Sequence, residues 1–181
     1  MVYQKCVSSK QTSPKTQNKW LTECQITCCN SINWKVVYKL PFSCPKIPKL
    51  IIFQFKLLHR RLATNGFLNK IGLRPDDLCS FCTDKKESLI HLFWSPRETN
   101  FFWKNLQDWL IKNAIALKPD STLSSAPVLG LKANFFPDTK QYFYFLVARY
   151  YIWTCKTREP NSKIKGFPGF LSAFSATEII P

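Results

Sequence analysis

From Lys49 onward, apolar residues recur at helical spacing. Ile51, Phe55, Leu58 and Leu62 stand at i, i+4, i+7 and i+11, and Leu50, Phe53 and Leu57 widen the same face. Lys49, Lys56 and Arg60 fall on the opposite face with Arg61 beside them, so residues 49–62 read as a helix with one cationic stripe. Upstream, residues 20–29 form a short helical pattern and residues 34–40 a second apolar segment; Pro41, Pro45 and Pro48 then break the chain into a loop. Downstream, a short helix over 65–71 stops at Gly72, and Arg74 to Asp77 turns the chain. Asp84 with Glu87 three residues later reads as a helix start that places His91 in the following helix. Ser95 to Glu98 has the form of a capping box, with Pro96 at the first helical position.

The helix that follows, over 96–116, turns Phe102, Leu106, Trp109 and Leu110 inward, with Trp103 at their edge and Lys104, Asp108 and Lys112 exposed. That aromatic stripe reads as core rather than as a base-stacking surface. Residues 118–126 are a linker and 128–136 a connection; 139–156 is apolar nearly all round, which marks a buried central helix. A last short helix covers 170–176. The pattern predicts an all-α, irregular helical domain over 19–176, with a polar, flexible leader at 1–18 and a tail at 177–181.

Composition adds a direction. With 181 residues and 45% hydrophobic content the chain can bury a core, and 26 Lys and Arg against 11 Asp and Glu leave a net charge of +15. Nine of those basic residues lie between Gln25 and Pro75, a stretch without a single acidic residue. Positive charge in this excess points to a polyanionic partner such as nucleic acid or an acidic membrane surface, against a merely solvated basic face, and its clustering favours RNA or DNA. His59 sits inside this stretch with no carboxylate to partner it, and it reads as a phosphate or structural contact rather than a base.

Eight cysteines could suggest disulfides, but no apolar leader follows Met1, so the expectation is an intracellular chain, nuclear or cytoplasmic, with reduced or metal-bound thiols. Cys24, Cys28 and Cys29 read as small buried residues. The longest apolar runs, 50–58 and 142–153, are too short to cross a bilayer.

Cys79 and Cys82 form a C-x-x-C turn with His91 nine residues further on, which supplies three zinc ligands of a tetrahedral site. The fourth is due four or five residues after the histidine, where Pro96 stands; Cys155, Cys44, Glu98 or a water could complete the shell. Three ligands and a water is also the plan of a catalytic site, but only Glu87 and Glu98 are near enough in sequence to serve as acid or base. A Tyr-x-Asp-Asp segment is absent, as are Walker, Rossmann and Ser-His-Asp signatures, and the single Asp76-Asp77 pair sits in a turn. The chain is expected not to be an enzyme.

Several of these segments together resemble the zinc-binding region at the C-terminal end of LINE-type non-LTR retrotransposon reverse transcriptases. The run Phe55-Lys56-Leu57-Leu58-His59-Arg60-Arg61-Leu62-Ala63-Thr64 matches that family's basic helix, and Leu68-Asn69-Lys70-Ile71-Gly72-Leu73 its short following segment. Cys79 to Cys82 and Glu87-Ser88-Leu89-Ile90-His91-Leu92-Phe93-Trp94 match its metal-binding stretch. A weaker likeness runs upstream through Trp20 and Trp34 to Tyr38, and downstream to Tyr151-Ile152-Trp153 and Lys156, so that it covers about 19–174. Where the family carries its fourth ligand, a cysteine, this chain has Pro96.

The resemblance implies a Zn2+ held by Cys79, Cys82 and His91 and a non-catalytic module that holds RNA or target DNA for the polymerase portion of a retroelement protein. The residues assigned to phosphate are Lys49, Lys56, His59, Arg60, Arg61, Lys70 and Arg74. A competing reading is a metal-free interaction module, a remnant of a decayed element whose charge serves no ligand.

Overall fold

The computed structural model describes residues 15–25, 32–43, 47–113, 115, 124, 129–131, 139–158, 164, 169, 170 and 172, with the side chain of Glu98 excepted. The leader up to residue 14, Cys28, Cys29, Cys44, Pro45, most of the 118–126 and 128–136 connections, most of the last helix and the tail lie outside the described residues.

Among the described residues seven helices follow one another: α1 Lys15–Glu23, α2 Trp34–Ser43, α3 Pro48–Leu58, α4 Asn65–Lys70, α5 Leu89–Trp94, α6 Arg97–Lys112 and α7 Thr139–Arg158. These residues include no strand; one antiparallel bridge joins Leu78 to Lys86. The domain is all-α, and its core is one apolar cluster to which α1, α2, α3, α5, α6 and α7 all contribute.

α7 is the centre of that cluster. Tyr142, Phe143, Phe145, Leu146, Val147, Ala148, Tyr151 and Ile152 are buried on successive turns, as a helix apolar on every side requires. Packed against it are α3 and α2, while α5 packs on α6. Two indoles anchor the packing with their N–H groups satisfied: Trp20 Nε1 donates to Leu58 O at 2.9 Å and Trp103 Nε1 to Phe93 O at 2.7 Å. Trp103 therefore lies in the core, stacked on Phe145 at 5.6 Å, rather than at its edge, and Trp109 is the half-buried member of the α6 stripe. Phe102, Leu106 and Leu110 face inward as their spacing predicts. No helix among the described residues is long and apolar enough to cross a membrane.

Helix limits differ from the sequence pattern where a residue adopts the left-handed region. α1 spans Lys15–Glu23 instead of 20–29, because Gln25 at φ 54° ends it. α2 runs on through Pro41 to Ser43, and α3 starts with Pro48 at its first position, where the missing N–H has no helical partner to lose. α3 stops at Leu58 rather than Leu62. Arg60 (φ 57°) occupies the left-handed position of a Schellman motif, with Arg60 N donating to Leu57 O at 2.9 Å and Arg61 N to Lys56 O at 2.7 Å. Gly72 (φ 74°) does the same after α4, as expected.

At the other end of α4 a glycine is required for space. Gly66 N donates to Glu87 O at 3.2 Å, and a Cβ at this position would stand 2.6 Å from that oxygen. Gly66→Ala is expected to separate α4 from the 86–89 segment and to cost roughly 1–3 kcal/mol, as overpacking does. The urea midpoint relative to the parent measures it; an unchanged midpoint would show that the contact is slack.

Candidate metal centre and basic cleft

The two cysteines are delivered by a tight turn whose ends are tied together. Cys79 N donates to Lys85 O at 2.8 Å, Glu87 N to Asp77 O at 2.7 Å and Thr83 N to Cys79 O at 2.9 Å, with Thr83 in the left-handed region at φ 54°. His91 is supplied by α5. That helix is capped by Ser88, whose Oγ accepts from His91 N at 3.0 Å; Asp84 and Glu87 do not form its start. Likewise, Ser95 ends α5 by donating its N–H to His91 O, and the capping box predicted there does not form: Pro96 is the N-cap of α6 without a side-chain bond.

The structure brings together the three predicted ligands. Their donor atoms lie within 4.8 Å of one another, and Cys82 Sγ is 3.3 Å from His91 Nε2. Bonds of ~2.3 Å to sulfur and ~2.0 Å to nitrogen from a common ion demand comparable separations, so two thiolates and an imidazole here fit zinc. Phe81 N points at Cys79 Sγ at 3.4 Å, a donor suited to a thiolate. Burial pushes the Cys79 thiol up from 9.0 to about 11 and holds His91 below its ordinary 6.5, with Lys85 as a second cause for the imidazole. A neutral imidazole suits metal ligation; the thiol must lose its proton to the ion.

No fourth Cys, His, Asp or Glu among the described residues joins this cluster. Cys155 is half-buried on α7 and is not part of it.

Glu87, one of the two carboxylates considered as acid or base, is also spoken for. It is 1% exposed; Oε1 accepts from Asn65 N at 2.7 Å and pairs with Lys156 Nζ at 3.1 Å, while Oε2 accepts from Ser80 N and Ser80 Oγ, both at 2.8 Å. Lys156 Nζ donates as well to Ala63 O at 2.5 Å. A side chain that reads as a helix cap, or as a candidate acid, is thus a clamp joining α4, the Cys turn and α7. Its signal in the sequence is only a glutamate between two candidate ligands; the lysine that completes it comes after α5 and α6, near the end of α7.

Beside the knuckle opens a cleft of about 650 Å³, between α1, the end of α3, α4 and the 86–89 segment. Lys15, Lys19, Arg61 and Lys70, all exposed, line it together with His59, Arg60 and Lys86, the last of which pairs with Asp77 at 2.7 Å. The two carboxylates that line it are both engaged: Glu87 as above, and Glu23 by Arg60, whose Nη2 donates to Oε1 and Oε2 at 2.7 and 2.8 Å.

The seven residues assigned to phosphate therefore separate. Arg61, Lys70 and His59 reach the cleft. Arg60 lines it too, but its guanidinium is held by Glu23 and lies 4.4 Å from the Trp20 ring. Arg74 donates to Asn65 Oδ1 at 3.1 Å and pairs with Asp76 at 3.6 Å, which folds the knuckle. Lys49 and Lys56 stay exposed on the outer face of α3, Lys49 6.0 Å above the Tyr150 ring. The single cationic stripe does not exist as such, because the helix that would carry it ends at Leu58. The sequence reading misses Lys15 and Lys19. The first falls within the stretch read as leader and the second directly after it, and their i, i+4 spacing on a basic turn is the signal that could have found them.

A family profile described as zinc-binding in reverse transcriptase matches residues 1–103, a span that includes all three ligands and ends within α6. No curated protein and no solved structure matches the chain.

Two measurements address the metal centre. Because zinc must displace the Cys79 proton, apparent zinc affinity should climb about tenfold per pH unit between pH 7 and 8.5 for that proton alone; competition against a chromophoric chelator reads the slope, and a flat profile would contradict a buried thiol as ligand. Pro96→Cys, which restores the residue that the family resemblance expects at this position, should tighten zinc binding and raise the melting temperature in zinc but not in chelator. An equal melting temperature with and without zinc would leave position 96 out of the shell.

Proposed function

The chain belongs to the zinc-binding region of reverse transcriptases, and on that premise we propose that it is a non-catalytic module that grips RNA or target DNA, derived from the C-terminal part of a LINE-type retrotransposon protein. The knuckle sets α4 and α5 at a fixed angle, and zinc on Cys79, Cys82 and His91 would lock that angle by coupling metal binding to folding. A polymerase portion of such a protein is the expected companion, with this module holding the nucleic acid for it.

The observation that carries the reading is the cleft. Lys15, Lys19, Arg61 and Lys70 stand exposed around one concave surface, and the carboxylates that line it already have cationic partners. Lys15 and Lys19 stand one turn apart on α1, a like-charge pair that an anion between them would relieve. Contacts of this kind track the phosphate backbone and carry little base preference.

Replacing Lys15, Lys19, Arg61 and Lys70 together by alanine should weaken binding to single-stranded RNA and make the salt dependence shallower by about 3, at ~0.7 for each phosphate no longer neutralised, with sequence preference unchanged. Filter binding across a salt series measures both. If the variant keeps the parent's affinity and slope, the cleft is only a solvated surface, and the metal-free interaction module becomes the better reading.

A further inference from the structure

The periodicity of α3 places Phe55 in the core, yet it is 53% exposed, and so is Ile52 one turn before it. The helix buries Leu50, Phe53, Gln54, Leu57 and Leu58 instead. Phe55 is not a loose ring on the surface. Its centroid lies 4.3 Å from that of His59, His59 stacks on Tyr38 at 5.4 Å and 18°, and Tyr38 stacks on Trp34 at 5.9 Å and 30°. Four rings thus form a ladder that joins α2 to α3, and Phe55 is its exposed end.

The ladder is bordered by positive charge. Lys49 and Lys56 share the exposed stripe of α3 with Ile52 and Phe55, Lys35 and Lys39 are exposed on α2, and neither helix carries a carboxylate. A surface meant for another protein would set its aromatic residues in a patch depleted of lysine; here lysine is the neighbour on both helices. His59 is also a wall of the basic cleft, so the ladder and the cleft share a side chain.

Resting on the nucleic-acid reading above, we propose that Phe55 is a stacking platform for an unpaired base, and that the ligand is single-stranded: its phosphates lie in the cleft, and the strand passes His59 to set a base on Phe55. Bases within a duplex are already stacked and paired and cannot offer a face to the ring. A ring held against His59, which is itself stacked on Tyr38, is fixed in orientation before the base arrives, and the exposed lysines of α2 and α3 bind the adjoining phosphates. The platform distinguishes strand state, not sequence, because every base has a π-face.

The test uses the full chain with zinc, and fluorescence anisotropy with a labelled 20-nucleotide oligo(U) and a labelled 20-base-pair duplex. Phe55→Leu keeps an apolar side chain and removes the ring; it should weaken oligo(U) binding about 5- to 150-fold and leave the duplex and the salt slope unchanged. Phe55→Trp should bind oligo(U) at least as tightly as the parent. Loss of the ring contact with His59 should lower the melting temperature of Phe55→Leu by no more than about 5 °C, and Phe55→Trp should match the parent. An oligo(U) affinity indifferent to Phe55→Leu, or a loss of equal size on the duplex, overturns the proposal while leaving the cleft reading intact. A parent that binds neither probe overturns both. Self-association of the parent that Phe55→Leu abolishes in sedimentation, without effect on oligo(U), assigns the ring to a contact between protein chains and overturns the platform.

Discussion

A carboxylate without access to water holds the knuckle against the helical body. Glu87 has room for about four donors, and four groups supply them: a backbone N–H at the start of α4, a backbone N–H and a hydroxyl in the Cys turn, and the ammonium group of Lys156 on α7. Taking such a charge out of water costs several kcal/mol, a cost offset only when every lone pair is met. The geometry that meets them is also the geometry that puts Cys79, Cys82 and His91 within reach of one ion. Burial of Lys156 lowers its pKa, while Glu87 beside it works in the opposite direction and favours the charged form.

Those parts of the structure that depend on local rules were open to inspection in the sequence. The absence of any polar face marked α7 as central, Gly72 marked the end of α4, and the Cys-x-x-Cys and His91 spacing, which already suggested zinc, marked three side chains that the fold brings together. What depends on distant partners was hidden. Glu87 three residues after Asp84 has the form of a helix start, and only its buried contacts to Asn65, Ser80 and Lys156 reveal another use. Arg60 in a position that favours glycine ended α3 early; the roughly 1–2 kcal/mol cost of the left-handed backbone is set against a carboxylate and an indole that hold its side chain. The face that α3 buries runs through Leu50, Phe53, Gln54, Leu57 and Leu58, which leaves Phe55 outside it.

Net charge likewise overstates what a ligand would meet. Arg60, Arg74 and Lys156 are engaged with carboxylates of the chain itself, and Arg149 is fully buried with its guanidinium 5.2 Å from the Tyr142 ring. Among the described residues, one group of exposed cations lines the cleft and another follows α2 and α3, and the two meet at His59, while Arg97, Lys104 and Lys112 stand apart on α6. A basic composition is therefore a ceiling on the number of phosphate contacts, and the fold decides how many are left over.

The clamp also imposes an order on biosynthesis. A ribosome makes both thiols and His91 well before it reaches Lys156, so a nascent chain carries all three candidate metal ligands while Glu87 still lacks its cation. During that interval the carboxylate must remain hydrated, and the knuckle cannot settle on a helix that does not yet exist. Metal capture is open to the growing chain as a local event, whereas docking of the knuckle waits for the last turns of α7. A chain released before Lys156 would keep its ligands and lose the surface against which they are held.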